Sequence, residues 1–72
     1  MQQKEFQLKL GLQIAKLRKQ KKISQVDFAY KLDIEKQNLN RIEKGGTNPT
    51  SWTLQQIATL LEVPIQRLFD WD

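Results

Sequence analysis

Apolar residues recur along the chain at spacings of three and four, which is the period of amphipathic α-helices. The first such run predicts a helix over residues 5–21, with one buried face formed by Phe6, Leu10, Ile14 and Leu17. Gly11 lies inside this helix at a cost of about 1 kcal/mol relative to alanine. We therefore expect another helix to approach the backbone closely at that glycine.

Two shorter helices are predicted next, over residues 25–32 and 36–44, separated by the three residues from Asp33 to Glu35. Ser24 stands where an N-cap is expected, and Asp27 occupies the third position of the helix that follows. The first of these helices is predicted to bury Val26, Phe28, Ala29 and Leu32. The second has a narrower apolar face, consisting of Leu39 and Ile42.

Residues 45–49, GGTNP, form a loop by composition, because glycine can end a helix and proline cannot continue one. Thr50 is then the expected N-cap of a fourth helix over residues 51–61, and Val63-Pro64 opens a short fifth helix. The predicted inward-facing residues are Leu54, Ile57, Ala58, Leu61, Ile65, Leu68 and Phe69. No alternating strand pattern competes with this all-α interpretation.

The helix over residues 36–44 carries a distinctive set of polar side chains on its outer face: Lys36, Gln37, Asn40 and Arg41. Lysine, arginine, asparagine and glutamine are the residue types that pair with guanine O6 and N7 or with adenine N6 and N7 in the major groove. Two short helices with a tight break between them and such an outer face are typical of a helix-turn-helix. An ordinary solvated helix face is the alternative.

From Leu10 to Phe69 the chain resembles the Cro and phage-repressor class of helix-turn-helix domains, the XRE family. The resemblance implies a single compact five-helix, lambda-repressor-like DNA-binding domain over residues 1–72, with the helix-turn-helix at residues 24–44. The residues that carry it are Ile14 to Arg18, Ile23 to Gln25, Phe28, Ala29, Leu32, Ile34, Leu39, Arg41 to Gly45, Asn48, Pro49, Leu54, Ile57, Ala58, Leu61, Val63, Leu68 and Phe69. Where the family usually has glycine, in the corner of the motif and after the fourth helix, this chain has Asp33 and Glu62.

The resemblance also implies roles for individual residues. Lys36 and Gln37 match positions that contact bases, and Arg18 matches an arginine that forms an ion pair with Glu43. The positions expected at backbone phosphates are Gln25, Asn38, Lys44, Thr47 and Asn48, of which Asn38 could also contact a base. Because the family usually dimerises through its fourth and fifth helices, the expected interface residues are Trp52, Leu68 and Trp71.

The basic charge of the chain is concentrated near its N-terminus. Seven basic residues and one acidic residue give residues 1–22 a net charge of +6, whereas residues 23–48 are neutral and residues 49–72 carry −2. The basic run from Arg18 to Lys22 is either a solvated helix end that suits the helix dipole or a group of cations near phosphates. Glu35 repels a phosphate, but its carboxylate could accept a hydrogen bond from a cytosine amino group.

The sequence contains no histidine and no cysteine, so the usual imidazole bases, thiolate nucleophiles and zinc ligands are absent. We expect no enzyme activity, no metal and no cofactor, and we expect a cytoplasmic protein with no membrane span or signal peptide. The leading hypothesis is a transcriptional regulator that binds double-stranded DNA as a homodimer on a palindromic operator. The alternative is a protein-interaction module, such as an antitoxin or anti-regulator, whose partner is a toxin or another regulator.

Overall fold

The computed structural model describes residues 1–71, which form four α-helices and a terminal 3₁₀ helix. The α-helices are α1 (Gln3–Gln20), α2 (Gln25–Leu32), α3 (Lys36–Glu43) and α4 (Ser51–Leu61), and the 3₁₀ helix covers Ile65–Phe69. No strand occurs in residues 1–71, so the all-α fold class is confirmed. The fifth element is a 3₁₀ helix rather than the short α-helix that the sequence suggested.

Side-chain caps explain why α2 and α4 begin where the sequence predicts. The Ser24 hydroxyl accepts a hydrogen bond from the Asp27 backbone N–H at 3.1 Å, and the Thr50 hydroxyl accepts one from Thr53 N–H at 3.2 Å. Each hydroxyl satisfies one of the N–H groups that a helix leaves unpaired at its start. Glu35 precedes α3 without a side-chain capping bond.

Three residues other than glycine adopt the left-handed conformation within residues 1–71. One is Lys22, with φ 59° in the turn before α2, and the other two close the turns after α2 and α4. Asp33 has φ 58° at the end of α2 and Glu62 has φ 60° at the end of α4. These are the two positions where the family usually has glycine. The left-handed geometry of both turns is therefore kept, at a cost of about 1 kcal/mol for a residue such as glutamate.

One apolar core joins the helices, and its largest fully buried side chain is Phe28. Leu10, Ile14 and Leu17 line the inner face of α1 as predicted. The remaining members of the core are Ala29, Leu32, Leu39, Ile42, Leu54, Ile57, Ala58, Leu61 and Leu68. Phe6, Ile34 and Ile65 are partly buried at the edge of this core.

Two residues that were predicted to face the core are exposed instead. Val26 is 59% exposed because the eight-residue α2 packs through a narrow stripe formed by Phe28, Ala29 and Leu32. Phe69 is 39% exposed, since the 3₁₀ helix seals the core mainly through Leu68. Each error came from assigning a full α-helical face to an element that is too short to bury one.

The expectation for Gly11 is confirmed. A Cβ atom at this position would collide with the backbone oxygen of Ile42 and would lie 2.6 Å from the backbone oxygen of Glu43. The C-terminal end of α3 therefore packs directly on the backbone of α1. This contact fixes the distance between α3 and the body of the domain.

The end of the described chain is tied to α1 by polar and aromatic contacts. The Gln13 side-chain amide donates to the backbone oxygens of Arg67 at 2.9 Å and Asp70 at 3.2 Å. The ring of Trp71 packs edge-on against Phe6, with ring centroids 5.6 Å apart. No helix within residues 1–71 has both the length and the apolar character needed to cross a membrane.

Candidate nucleic-acid interface

The outer face of α3 is open to solvent. Leu39 and Ile42 are buried beneath the helix, whereas the side chains of Lys36, Gln37 and Arg41 are exposed on the other side. The three exposed side chains supply amide and cationic donors along one face of the helix. The face that the sequence analysis assigned to base contact is therefore free of the protein's own packing.

A buried ion pair holds α3 against α1. The Nε of Arg18 lies 2.6 Å from Oε2 of Glu43, and Nη2 lies 3.0 Å from Oε1, which makes the contact bidentate. The side chains retain only 7% and 5% of their exposure. Arg18 also donates from Nη1 to the backbone oxygen of Ile23 at 2.7 Å, so the same guanidinium fixes the turn before α2. The expected ion pair is present and buried.

Gln25 joins this ion pair from the start of α2. Its Nε2 atom donates to Oε1 of Glu43 at 2.9 Å and to Oδ1 of Asn40 at 3.3 Å. Both amide protons therefore have internal acceptors, and the expected side-chain contact with a phosphate is not available in this arrangement. The backbone N–H groups of Gln25 and Val26 at the start of α2 have no acceptor within residues 1–71 and can still meet an anion.

The structure places Asn40 differently from the other three base-contact candidates. Its side chain is half-buried beside α2, and its oxygen is already occupied by Gln25. Lys36, Gln37 and Arg41 make no side-chain hydrogen bond within the described part of the chain. The predicted set thus divides into three unrestrained side chains and one restrained side chain.

Most of the residues expected at phosphates surround one groove. Asn38 and Arg41 of α3 face Thr47 and Asn48 of the following loop across an open groove of about 300 Å³. Lys44 is exposed at the end of α3. The groove brings uncharged donors from the loop beside a cation from α3, which is a combination suited to phosphate oxygens.

The loop that forms this groove is held from below by α1. Gly45 has φ 76°, and a Cβ atom there would lie 2.6 Å from the Cα of Leu8. The Gln7 side-chain amide donates to the backbone oxygen of Gly45 at 3.2 Å. Glycine is therefore required at this position by both the left-handed conformation and the close approach to α1.

The three residues expected at a dimer interface do not form one surface. Trp52 is 69% exposed and lines a groove of about 530 Å³ between α2 and α4. Leu68 is 0% exposed, so the expectation that its side chain contacts a partner is wrong, because it completes the core of its own chain. Trp71 packs on the aromatic rings of Phe6 and Phe69 and lines a different groove.

Three glutamines have structural roles that the sequence did not predict, and one of them, Gln7, supports the loop at Gly45. Gln13 is buried and holds the C-terminal segment, and its position between Leu10 and Leu17 on the helix period was a usable signal. The internal role of Gln25 had no such signal, because it depends on how α2 and α3 cross. Within residues 1–71, no cluster of three or more acidic, histidine or cysteine side chains is arranged to hold a metal ion.

Comparison with known proteins identifies the family. The family model described as Helix-turn-helix (HTH_3) matches residues 14–68. The restriction-modification controller protein C.AhdI from Aeromonas hydrophila has a similar structure, with a TM-score of 0.82 and 26% identity over 86% of this chain and 94% of that chain.

An HTH_3 family transcriptional regulator from Vibrio cholerae also matches, with a TM-score of 0.85 and 31% identity. That match covers 94% of this chain but only 38% of the Vibrio protein. No curated protein sequence matches the chain. Because the family model extends from the middle of α1 to the 3₁₀ helix, the chain belongs to the HTH_3 family of helix-turn-helix, DNA-binding transcription regulators.

Proposed function

We propose that the protein binds a palindromic operator as a homodimer and regulates transcription by inserting α3 into the major groove. The observation that carries this proposal is the open polar face of α3 on a helix whose opposite side is buried and ion-paired. A helix that contacts bases has to be exposed on one side and rigid on the other. The HTH_3 membership and the regulator neighbours support the same conclusion.

The base-contacting side chains in this proposal are Lys36, Gln37 and Arg41, with Asn40 beside them. Arg41 and Lys36 can donate to guanine O6 and N7, and Gln37 can pair with adenine N6 and N7. Glu35 is exposed at the start of α3 and can accept a hydrogen bond from a cytosine amino group. Together these side chains offer both donors and acceptors, which sequence discrimination requires.

Phosphate contacts fix the position of the domain on the duplex. The free N–H groups at the start of α2 contact one phosphate, and the residues around the groove beside α3 contact another. Asn38, Thr47 and Asn48 line that groove, and Lys44, which is exposed at the end of α3 outside the groove, adds a cation to this second group. The two sets of donors flank α3 and orient it in the major groove.

The proposed dimer uses the exposed surface of α4 around Trp52. Gln55, Gln56 and Leu60 lie beside this ring in the same groove, so the patch has an aromatic centre and a polar rim. In the proposed dimer, the two copies of α3 contact successive turns of the major groove, at half-sites about 34 Å apart as in other helix-turn-helix dimers.

The test is selection of bound duplexes from a random DNA pool, followed by titration of the selected duplex at several salt concentrations. We expect a palindromic sequence and an affinity that falls steeply with salt, because phosphate neutralisation releases counterions. Gln37→Ala and Arg41→Ala should abolish the sequence preference while the fold is retained. Gln20→Ala and Lys16→Ala are matched controls, because they remove an exposed amide and an exposed cation from α1.

Two results would contradict the proposal. One is the failure of selection to enrich any sequence. The other is enrichment that Arg41→Ala and Gln37→Ala leave unchanged. The first result would favour the alternative, in which the helical surface binds a protein partner such as a toxin or another regulator. The second would place the DNA contact on a surface other than the outer face of α3.

A further inference from the structure

The hydrogen bonds around Gln25 determine which way two side-chain amides face. Both oxygens of the Glu43 carboxylate accept hydrogen bonds from Arg18, and a carboxylate paired with a guanidinium has no proton to donate. The Gln25 atom 2.9 Å from Oε1 of Glu43 must therefore be the amide nitrogen. The reverse orientation would place two oxygens in contact with no proton between them.

The same reasoning extends to Asn40. The Gln25 nitrogen has a second proton, and the Asn40 atom 3.3 Å away must be an acceptor, which fixes it as the oxygen Oδ1. Within residues 1–71, no buried side-chain nitrogen or oxygen lacks a hydrogen-bond partner. The Asn40 Nδ2 atom makes no hydrogen bond with those residues, so it lies at the surface.

We propose that Gln25 is a specificity-determining residue that acts through Asn40: by holding the Asn40 oxygen inward, it leaves only the NH₂ group for DNA and so selects guanine over adenine. The proposal rests on the proposed function, since Asn40 has to lie in the major groove. A free asparagine pairs with adenine by donating to N7 and accepting from N6–H₂. An asparagine whose oxygen is occupied can donate to N7 and O6 of guanine but cannot accept from adenine.

Gln25 is a positioning residue in this scheme. Arg18 and Glu43 begin the series of hydrogen bonds, because their buried ion pair has only one arrangement. The series of hydrogen bonds runs from the buried guanidinium to the carboxylate, then to the Gln25 amide and finally to the Asn40 amide. Each hydrogen bond allows the next side chain in the series only one orientation of its amide or carboxylate. The ion pair that holds α3 in place therefore also sets the hydrogen-bonding character of its fifth residue.

The test compares the base preferences of wild-type protein, Gln25→Leu and Asn40→Asp, each selected against the same random duplex pool. In the wild-type protein we expect guanine at the base pair that loses its preference when Asn40 is changed. Gln25→Leu frees the Asn40 oxygen, and the guanine-to-adenine preference there should fall by about five- to 150-fold, the worth of one bidentate contact. Asn40→Asp keeps the inward acceptor and replaces the outward NH₂ by oxygen, so guanine should be lost and cytosine gained.

A measurement without DNA examines the orientation directly. In side-chain amide NMR spectra of the free protein, the Gln25 NH₂ protons should exchange with water more slowly than those of exposed Gln20. The Asn40 NH₂ protons should exchange about as fast as those of exposed Asn48. Protected Asn40 protons together with rapidly exchanging Gln25 protons would overturn the inference. This measurement uses only the wild-type protein, so it holds even if Gln25→Leu or Asn40→Asp fails to fold.

The DNA outcomes separate this inference from the function on which it rests. If the wild-type protein selects no sequence, the proposed function fails and the inference fails with it. If the wild-type protein selects a sequence and Gln25→Leu gives the same preference at every base pair, only the inference is overturned. A uniform loss of affinity in Asn40→Asp, with no change in base preference, would assign Asn40 to the phosphate backbone and would also overturn it.

Discussion

Replacing Glu43 by glutamine should destabilise the domain far more than its small change in shape suggests. The carboxylate accepts three hydrogen bonds, from Arg18 Nε at 2.6 Å, Arg18 Nη2 at 3.0 Å and Gln25 Nε2 at 2.9 Å. A glutamine supplies one oxygen, and its NH₂ group would face another donor. The variant also leaves the Arg18 charge without a counterion, in a site where the side chain keeps 7% of its exposure.

The free energy of unfolding should fall by about 3–5 kcal/mol, which is the range for removing one partner of a buried ion pair. For a domain of this size, 1 kcal/mol corresponds to about 4–8 °C in Tm, so the midpoint should fall by about 12–40 °C. A core this small supplies only a few kcal/mol of net stability. Glu43→Gln should therefore be partly or largely unfolded at 25 °C without DNA.

The assay is thermal unfolding followed by circular dichroism at 222 nm, repeated with trimethylamine N-oxide to bring a weakly folded variant into range. The matched control is Glu62→Gln, which removes the carboxylate of the exposed pair with Lys21, 3.0 Å apart. Because these side chains are 41% and 78% exposed, the control should cost less than about 1 kcal/mol.

A double-mutant cycle refines the result. Arg18→Met combined with Glu43→Leu removes both charges together, and its cost should be smaller than the sum of the two single variants. The reasoning would be refuted if Glu43→Gln cost no more than Glu62→Gln. That outcome would mean that the pair is solvated in solution and that α3 is not held by it.

Three further predictions follow from the packing, the backbone and the surface. Gly11→Ala should lower the free energy of unfolding by about 1–3 kcal/mol, because the added Cβ would meet rigid backbone at Ile42 and Glu43. A variant that is more stable than the wild-type protein in urea unfolding would contradict this prediction. Glu62→Gly should be more stable than Glu62→Gln by about 1 kcal/mol, because glycine adopts φ 60° without strain and glutamine does not. Equal urea-unfolding midpoints for the two variants would argue against that strain. Trp52→Ala should leave the fold intact, since the ring is 69% exposed, yet raise the dimer dissociation constant about 30-fold or more in sedimentation equilibrium. An unchanged dissociation constant would place the dimer contact elsewhere.

Much of the fold follows from local sequence. The starts of α2 and α4 were predictable because Ser24 and Thr50 cap them through bonds that span three residues. The core positions of α1 and α4 were predictable because long helices with a clear period have only one way to bury an apolar face. The short elements were less predictable, and Val26 and Phe69 were assigned inward where the structure exposes them.

The candidate site was predictable to a similar extent. The residue types on the outer face of α3 indicated base contact, and the resemblance to the repressor class supplied the pairing of Arg18 with Glu43. Neither source predicted that Gln25 turns inward or that Asn40 is restrained by it. Leu68 was assigned both to the core and to an interface, and only the packed structure decided between the two.

The sequence by itself thus determined which segments are helical, where α2, α3 and α4 begin and which sides of the longer helices are apolar. These properties depend on residues within one or two turns of each other. The tertiary structure decided which amide faces which acceptor and which apolar residues remain open, because those depend on how α1, α2 and α3 cross. The orientation of the Asn40 amide is set by Arg18, 22 residues earlier in the chain, through contacts that exist only after the three helices have packed.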